Sequence, residues 1–309
     1  MQLINKDLLG IQELSREEII LILDTAETMK HVLSASSKKT AHLQGKSVIT
    51  LFYEDSTRTR LSFEMAAKYM GAASANVSSS SSSVGKGESL SDTARTIDQM
   101  ATDILVIRHP RSGAAHLIAP LVHASVINAG DGMNEHPTQA LLDLFTMRQM
   151  KGRLDGLRVA IAGDVLHSRV ARSNLWALIK MGAEVRLAAP PTMMPRGLEQ
   201  TGAILCPTIQ DAVRDADVVM GLRIQLERMQ HALFPSISEY SHFFAIDQKV
   251  LSLARPDVIV MHPGPCNHGV EMSTLVYDGP RSVIQEQVTN GVAVRMAILY
   301  LLASRRNAI

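Results

Sequence analysis

The sequence predicts an α/β protein of two domains, each a mostly parallel sheet flanked by helices, with the active site in the cleft between the domains. Three observations carry this prediction. Short apolar runs alternate along the chain with longer segments of helical spacing, the pattern of strands joined by crossover helices. The chain has 309 residues, which at about 150 residues per domain makes two domains the expectation. Polar and cationic residues gather just after the apolar runs, and open parallel sheets bind ligands outside the carboxyl ends of their strands.

Composition narrows the function classes. A hydrophobic content of 46% can fill a large core, and a formal net charge of +1 gives no global attraction to nucleic acid or an anionic membrane. Anion binding must therefore come from local clusters. One Trp and six Phe argue against stacking platforms for single strands. The segment Met1 to Asp7 lacks a basic region followed by an apolar core, and no apolar run reaches the roughly 18 residues that span a bilayer, so the expected location is cytoplasmic. The two cysteines, Cys206 and Cys266, lie far apart without metal-ligand spacing, so neither a disulfide framework nor a metal site is expected.

In chain order, Ser15 to Leu33 reads as a packing helix opened by a capping box of Ser15 and Glu18. Ser47 to Tyr53 reads as a buried strand, and Leu61 to Gly71 as a helix closed by glycine. Between them stands Asp55-Ser56-Thr57-Arg58-Thr59-Arg60. Unpaired N–H groups and the positive dipole end of a first helical turn favour an anion, and Arg58 can grip phosphate oxygens bidentately. The alternative is that Ser56 or Thr57 simply caps the helix while the arginines face solvent. A strand over Ala72 to Val77 precedes a serine run, residues 78–83, whose composition is that of a flexible linker. Helix Ser91 to Thr102 and strand Asp103 to Pro110 follow, the strand ending on Arg108. A short helix near Gly113 to Ala119 and a strand at Val126 to Ala129 lead to Gly130 to Gln139, which opens a helix running to about Met150 and carries His136 and Gln139 at its start.

Gly152 to Gly156 punctuates the chain before a second α/β unit. Leu157 to Asp164 is a strand, Arg172 to Met181 a helix and Ala183 to Ala188 a strand. The turn after the first of these is Gly163 to Arg169 and lacks G-x-G-x-x-G, so dinucleotide binding is unsupported. A helix over Asp211 to Ala216 precedes the strand Asp217 to Leu222, which ends in Arg223-Ile224-Gln225. Strand Asp257 to Met261 ends in His262-Pro263-Gly264-Pro265. A last helix, Val283 to Ser304, closes the chain and is expected to pack back on the first domain. The expected division is residues 1–135 with 285–309, and residues 136–284.

Taken together, Ser56-Thr57-Arg58-Thr59-Arg60 and His136-Pro137-Thr138-Gln139 resemble the paired signatures S-T-R-T-R and H-P-[TC]-Q of the carbamoyltransferase family. The resemblance runs from about Leu8 to Leu302. Arg223 to Arg228 resembles the R-x-Q-x-E-R segment of the members that act on aspartate, and His262 to Glu271 resembles their H-P-G-P-x-N-x-G-V-E segment. The S-M-G and H-C-L-P segments of the ornithine enzymes are absent. Two guanidiniums, Arg169 and Arg223, also suit a dicarboxylic amino acid and would repel the cationic side chain of ornithine.

The resemblance implies a reaction and a set of roles. The carbamoyl group of carbamoyl phosphate passes to the α-amino group of L-aspartate, giving N-carbamoyl-L-aspartate and phosphate in pyrimidine biosynthesis. Ser56, Thr57, Arg58, Thr59 and Arg108 would hold the phosphate, and Thr59, Arg108 and His136 the carbonyl oxygen. Gln139 and the carbonyls of Pro263 and Gly264 would hold the carbamoyl amide. Arg169, Arg223 and Gln225 would bind aspartate in the second domain. Ser82 and Lys86 match a loop that reaches into the adjacent subunit, so the serine run becomes part of a shared site and the expected assembly is a homotrimer. Joining a regulatory chain or dihydroorotase is a further assembly known in the family. No cofactor is implied, because the leaving phosphate can take the amine proton. Positioning alone can then contribute roughly 7 to 11 kcal/mol. The rival readings are a carbamoyltransferase for another amine, such as ornithine, and a non-catalytic anion-binding assembly subunit of the same fold.

Overall fold

A computed structural model describes residues 2–78, 88–225 and 236–306 of the chain. By contacts the chain divides into two compact units, Met1–Phe145 with Val288–Ile309, and Thr146–Gln287.

The first unit opens with α1 (Arg16–Ser34), and its start follows the predicted capping box: Glu18 N–H donates to Ser15 Oγ and Ser15 N–H to Glu18 Oε2. Such a cap contributes about 1 kcal/mol. Then come β1 (Ser47–Phe52), α2 (Thr57–Tyr69), β2 (Ala73–Ser78), α3 (Leu90–Asp98), β3 (Ile104–His109), α4 (Ala114–Ile118), β4 (Ser125–Asp131) and α5 (Pro137–Lys151). The strands form one parallel sheet in the order β2-β1-β3-β4. Leu8 extends it by a bridge to Ile127, donating to the Val126 carbonyl at 2.8 Å and accepting from Asn128 at 2.9 Å. Every residue of β4 is buried, as a strand covered on both faces requires. One face packs Leu51, Leu105, Ile107 and Val126 against Ala94 and Ile97 of α3 and Ala115 and Ile118 of α4. Each such large aliphatic residue contributes about 1.5–3 kcal/mol on burial.

The second unit holds β5 (Arg158–Ala162), α6 (Arg169–Lys180), β6 (Glu184–Ala188), β7 (Ile204–Cys206), α7 (Ile209–Val213), β8 (Val218–Gly221), α8 (Ile237–Phe244), α9 (Gln248–Leu251), β9 (Ile259–Met261) and α10 (Thr274–Tyr277). The sheet is again parallel, ordered β7-β6-β5-β8-β9. Ala160, Ala162, Val219 and Val260 pack beneath Ile209 and Val213 of α7, Val250 of α9 and Val276 of α10. The chain passes between the units inside α5 and again inside α11 (Ile284–Arg306), the predicted closing helix. Among the described residues no helix is long and apolar enough to cross a membrane.

Two helix starts differ from the sequence reading in a way that bears on function. Helix α2 begins at Thr57, four residues before the expected Leu61, and α6 at Arg169 instead of Arg172. Apolar spacing sets in only after the first turn, while the backbone turns helical as soon as its cap permits. Strand β7 escaped the reading because its three residues are exposed or only half-buried and form no buried apolar run, unlike the equally short β9.

Candidate active site

In the first sheet the strand order reverses between β1 and β3, since β1 is followed on one side by β2 and on the other by β3. That switch point opens a crevice at the carboxyl ends of the strands. The first turn of α2 lies at the end of β1. Ser56 occupies its N-cap position with φ −162° and makes no side-chain capping bond, so the capping alternative does not describe Ser56. Thr57 and Arg58 are exposed there and Thr59 is buried.

Register pairs Phe52 with Arg108, and Tyr53 N–H donates to the Arg108 carbonyl at 2.9 Å, so the end of β3 stands beside the start of this turn. The Arg108 guanidinium is held from both sides. Its Nη2 lies 3.5 Å from Glu54 Oε1, and its Nη1 donates to the Ala129 carbonyl at 3.4 Å. Next to it, burial holds the His109 imidazole below its ordinary range, and Nδ1 accepts from Arg111 N–H at 3.0 Å.

At the end of β4 the Asp131 carboxylate organises the turn that delivers His136. It accepts from Asn128 Nδ2 at 2.7 Å, Gly113 N–H at 2.6 Å and Glu135 N–H at 3.2 Å. Glu135 in turn accepts from Ile11 N–H at 2.9 Å, tying the N-terminal segment to the same turn. His136 and Gln139 are both buried, His136 just before α5 and Gln139 in its first turn. Gln139 Nε2 donates to Asp143 Oδ1 at 3.0 Å.

The second sheet repeats the logic, with its reversal between β5 and β8. Gly163 follows β5 with φ +134°, and a Cβ there would lie 2.5 Å from the Leu222 carbonyl oxygen, so only glycine lets the two segments close up. Asp164 follows, fully buried. Its carboxylate lies 2.9 and 3.1 Å from His167 Nδ1, which places the ring proton on that nitrogen, and it accepts Gln225 N–H at 3.2 Å. Ser168 caps α6 through Ala171 N–H, leaving Arg169 as its buried first residue. Arg223 and Gln225 follow β8, with Gln225 Nε2 donating to the Arg223 carbonyl at 3.4 Å. After β9, Pro263 and Gly264 form a half-buried turn in which Gly264 has φ +61°.

Ser56, Thr57, Arg58, Thr59, Arg108, His136 and Gln139 thus stand at the ends of three adjoining strands of one unit. Arg169, Arg223, Gln225, Pro263 and Gly264 stand at the ends of three adjoining strands of the other. Ser82 and Lys86, together with Leu226 to Arg228, lie outside the described residues. The sequence reading did not single out the supporting acids Glu54, Asp131, Asp143 and Asp164. One of them was legible: Asp143 follows Gln139 by four residues, the spacing at which helical side chains meet.

Two family models match the chain. Aspartate/ornithine carbamoyltransferase, carbamoyl-P binding domain, matches residues 6–149, and aspartate/ornithine carbamoyltransferase, Asp/Orn binding domain, matches residues 155–302. The aspartate carbamoyltransferase catalytic subunit of Ruminiclostridium cellulolyticum is 65% identical over 305 residues, covering 99% of this chain and 97% of its own length. That of Acetivibrio thermocellus is 62% identical, covering 99% of this chain and 98% of its own. Among solved structures, aspartate transcarbamoylase from Trypanosoma cruzi in complex with carbamoyl aspartate and phosphate aligns with a TM-score of 0.87 at 33% identity, covering 95% of each chain. Ornithine carbamoyltransferase from Pyrococcus furiosus aligns with a TM-score of 0.86 at 29% identity, covering 97% of this chain and 98% of its own.

Proposed function

The chain belongs to the aspartate/ornithine carbamoyltransferase family, and from that premise we propose that it is an aspartate carbamoyltransferase catalytic chain acting in pyrimidine biosynthesis in the cytoplasm. The observation that carries the choice of aspartate is the high identity, over nearly the whole chain, to proteins named as aspartate carbamoyltransferase catalytic subunits. The buried guanidinium of Arg169 and the half-buried one of Arg223 support it, since both suit carboxylates and neither suits the ammonium group of ornithine.

In this reading the first unit binds carbamoyl phosphate. The N–H groups and hydroxyls of Ser56, Thr57 and Thr59, with Arg58 and Arg108, take the phosphate. Thr59, Arg108 and His136 donate to the carbonyl oxygen as negative charge builds on it. Gln139 and the carbonyls of Pro263 and Gly264 hold the carbamoyl amide, and Arg169, Arg223 and Gln225 hold aspartate. The α-amino nitrogen forms a bond to the carbamoyl carbon, the bond from that carbon to the phosphate oxygen breaks, and the amine proton leaves with phosphate. The amine is itself the nucleophile and the leaving phosphate takes its proton, so the scheme asks the protein for neither a nucleophile nor a base.

Ser82 and Lys86 complete the site from an adjacent subunit, which makes a homotrimer the working assembly. A higher assembly with a regulatory chain or dihydroorotase would build on that trimer. The test is carbamoylation of L-aspartate against L-ornithine with phosphate release as readout. Activity with aspartate that is lost in Arg58→Ala and in Lys86→Ala, and partly recovered when those two variants are mixed and reassembled, is the expected result. Activity with ornithine alone, or tight phosphate binding without turnover of either amine, would overturn the assignment.

A further inference from the structure

The turn after β9 is gathered onto one buried carboxylate, Glu271, which has no part in the chemistry above. His262, 1% exposed, donates its N–H to Gln287 Oε1 at 3.0 Å, which fixes the point where the chain leaves the sheet. Its Nδ1 accepts from Gly264 N–H at 2.8 Å, so the ring proton resides on Nε2. That nitrogen lies 3.5 Å from Glu271 Oε1. Glu271, also 1% exposed, accepts Asn267 N–H at 2.6 Å on the same oxygen. The Cys266 thiol lies in the same cluster, pushed up to about 12 by burial and by that carboxylate. A ring nitrogen from before Pro263-Gly264-Pro265 and a backbone donor from after it therefore both face a single side chain.

His262, Cys266 and Glu271 have the ligand chemistry of a zinc site, with one ligand atom each inside a sphere of mutual distances under 4.8 Å. The hydrogen bonding of the imidazole argues against that use. A metal needs the lone pair of an imidazole nitrogen. Here Nδ1 already accepts Gly264 N–H, which puts the ring proton on Nε2, the nitrogen that faces Glu271.

We propose that Glu271 is a positioning residue for the transfer reaction: through Asn267 and the facing imidazole of His262 it sets the conformation of the turn whose Pro263 and Gly264 carbonyls receive the carbamoyl NH2 group. This rests on the function assigned above. Backbone carbonyls cannot be aimed by a rotamer change, so their direction depends on what clamps the chain at each end. Glu271 clamps both.

The experiment compares the full-length protein with Glu271→Gln and Glu271→Asp. Glutamine keeps the shape but turns a donor or a weakened acceptor toward the His262 Nε2 proton, and aspartate keeps the charge while drawing it back. For Glu271→Gln, kcat/KM for carbamoyl phosphate falls about 10- to 100-fold, the cost of a carbonyl aimed wrongly by a fraction of an ångström to an ångström. Affinity for inorganic phosphate alone, measured by calorimetry, stays within about twofold, because the phosphate-binding groups belong to the other unit; a general loosening of the protein would change both. Glu271→Asp recovers part of the loss. The His262 Nε2 proton, followed by nitrogen-15 NMR, is protected from exchange in the unaltered protein and loses that protection in Glu271→Gln.

Unchanged kcat/KM in Glu271→Gln, in a protein whose parent is active, would overturn the proposal while leaving the function standing. An inactive parent would overturn the function, and the positioning role with it. If Glu271→Gln does not fold, Glu271→Asp carries the comparison, and parental kinetics in that variant with an exchanged Nε2 proton would equally refute the role. Stoichiometric uptake of Co2+ with a thiolate charge-transfer band that Cys266→Ser abolishes would show a metal site and overturn the lock.

Discussion

Removing Arg295 from the first unit tests how the candidate site is supported from behind. Arg295 of α11 is 3% exposed and Asp143 of α5 fully buried. Burial pulls the guanidinium down to about 10, and the Asp143 charge pushes in the opposite direction. The guanidinium carbon also sits 5.1 Å from the centroid of the Phe63 ring. Asp143 uses Oδ1 to accept from Gln139, the residue assigned to the carbamoyl amide. The two opposite charges are buried in the same unit and favour one another, so removing either leaves the other less compensated, at about 1–3 kcal/mol. Arg295→Met and Asp143→Leu should each lower stability to unfolding in urea by about 1–3 kcal/mol. The double variant should be less destabilised than the sum of the two, by a coupling of more than about 0.5 kcal/mol. Activity separates from stability here. The double variant loses less stability than the two singles together yet leaves Gln139 without its acceptor, so its KM for carbamoyl phosphate stays raised, while Asp143→Asn, which keeps an amide oxygen in place, retains more of the activity. Single effects that add within about 0.5 kcal/mol in the double variant would refute the pairing.

Three further outcomes are expected. Gly163→Ala forces a Cβ within 2.5 Å of the Leu222 carbonyl oxygen at φ +134° and should lower stability by about 1–3 kcal/mol, read as a drop in Tm; an unchanged Tm would mean that β5 and β8 can separate freely. Burial depresses the His109 pKa from 6.5 when the chain folds, so its contribution is fully present above about pH 6.5 and is lost as the pH falls toward the folded value; the charges facing it are Arg111, Asp131 and Glu54. His109→Gln should therefore flatten the acid side of a plot of urea midpoint against pH, and an unaltered slope would refute the assignment. Asp164→Asn weakens the hold on both His167 and Gln225 N–H, so KM for aspartate should rise about 10-fold with phosphate affinity unchanged; equal loss of both would point to unfolding of the unit instead.

Much of the local structure was legible. The Ser15 and Glu18 capping box formed as the residue types implied, and the apolar runs at Ser47, Asp103 and Leu157 became strands within a few residues of their expected limits. The helix starts at Thr57 and Arg169 were placed late, since first-turn residues face solvent or ligand and carry no apolar period. The acids behind the site were mostly invisible. Glu54 is 54 residues from Arg108 and Asp164 is 61 from Gln225, and no spacing rule links residues across a sheet. Glu271 stood inside a quoted motif, yet only its convergence with His262 and Asn267 gave it a task.

By itself the sequence determined the alternation of strands and helices, the parallel sheets that alternation requires, and the polar residues that each strand end presents. Those follow from periodicity and from contiguous residue types, both local properties of the chain. Tertiary structure alone decided which strand ends became neighbours. The orders β2-β1-β3-β4 and β7-β6-β5-β8-β9 put the strand end that leads to Arg58 beside the one that carries Arg108, and Asp164 beside Gln225, at the reversal of each sheet. Strand order is set by how buried faces pack and by which backbone groups pair across the sheet. Those energies depend on residues far apart in the chain, so the aim of each guanidinium and carbonyl emerges only when the whole unit is folded.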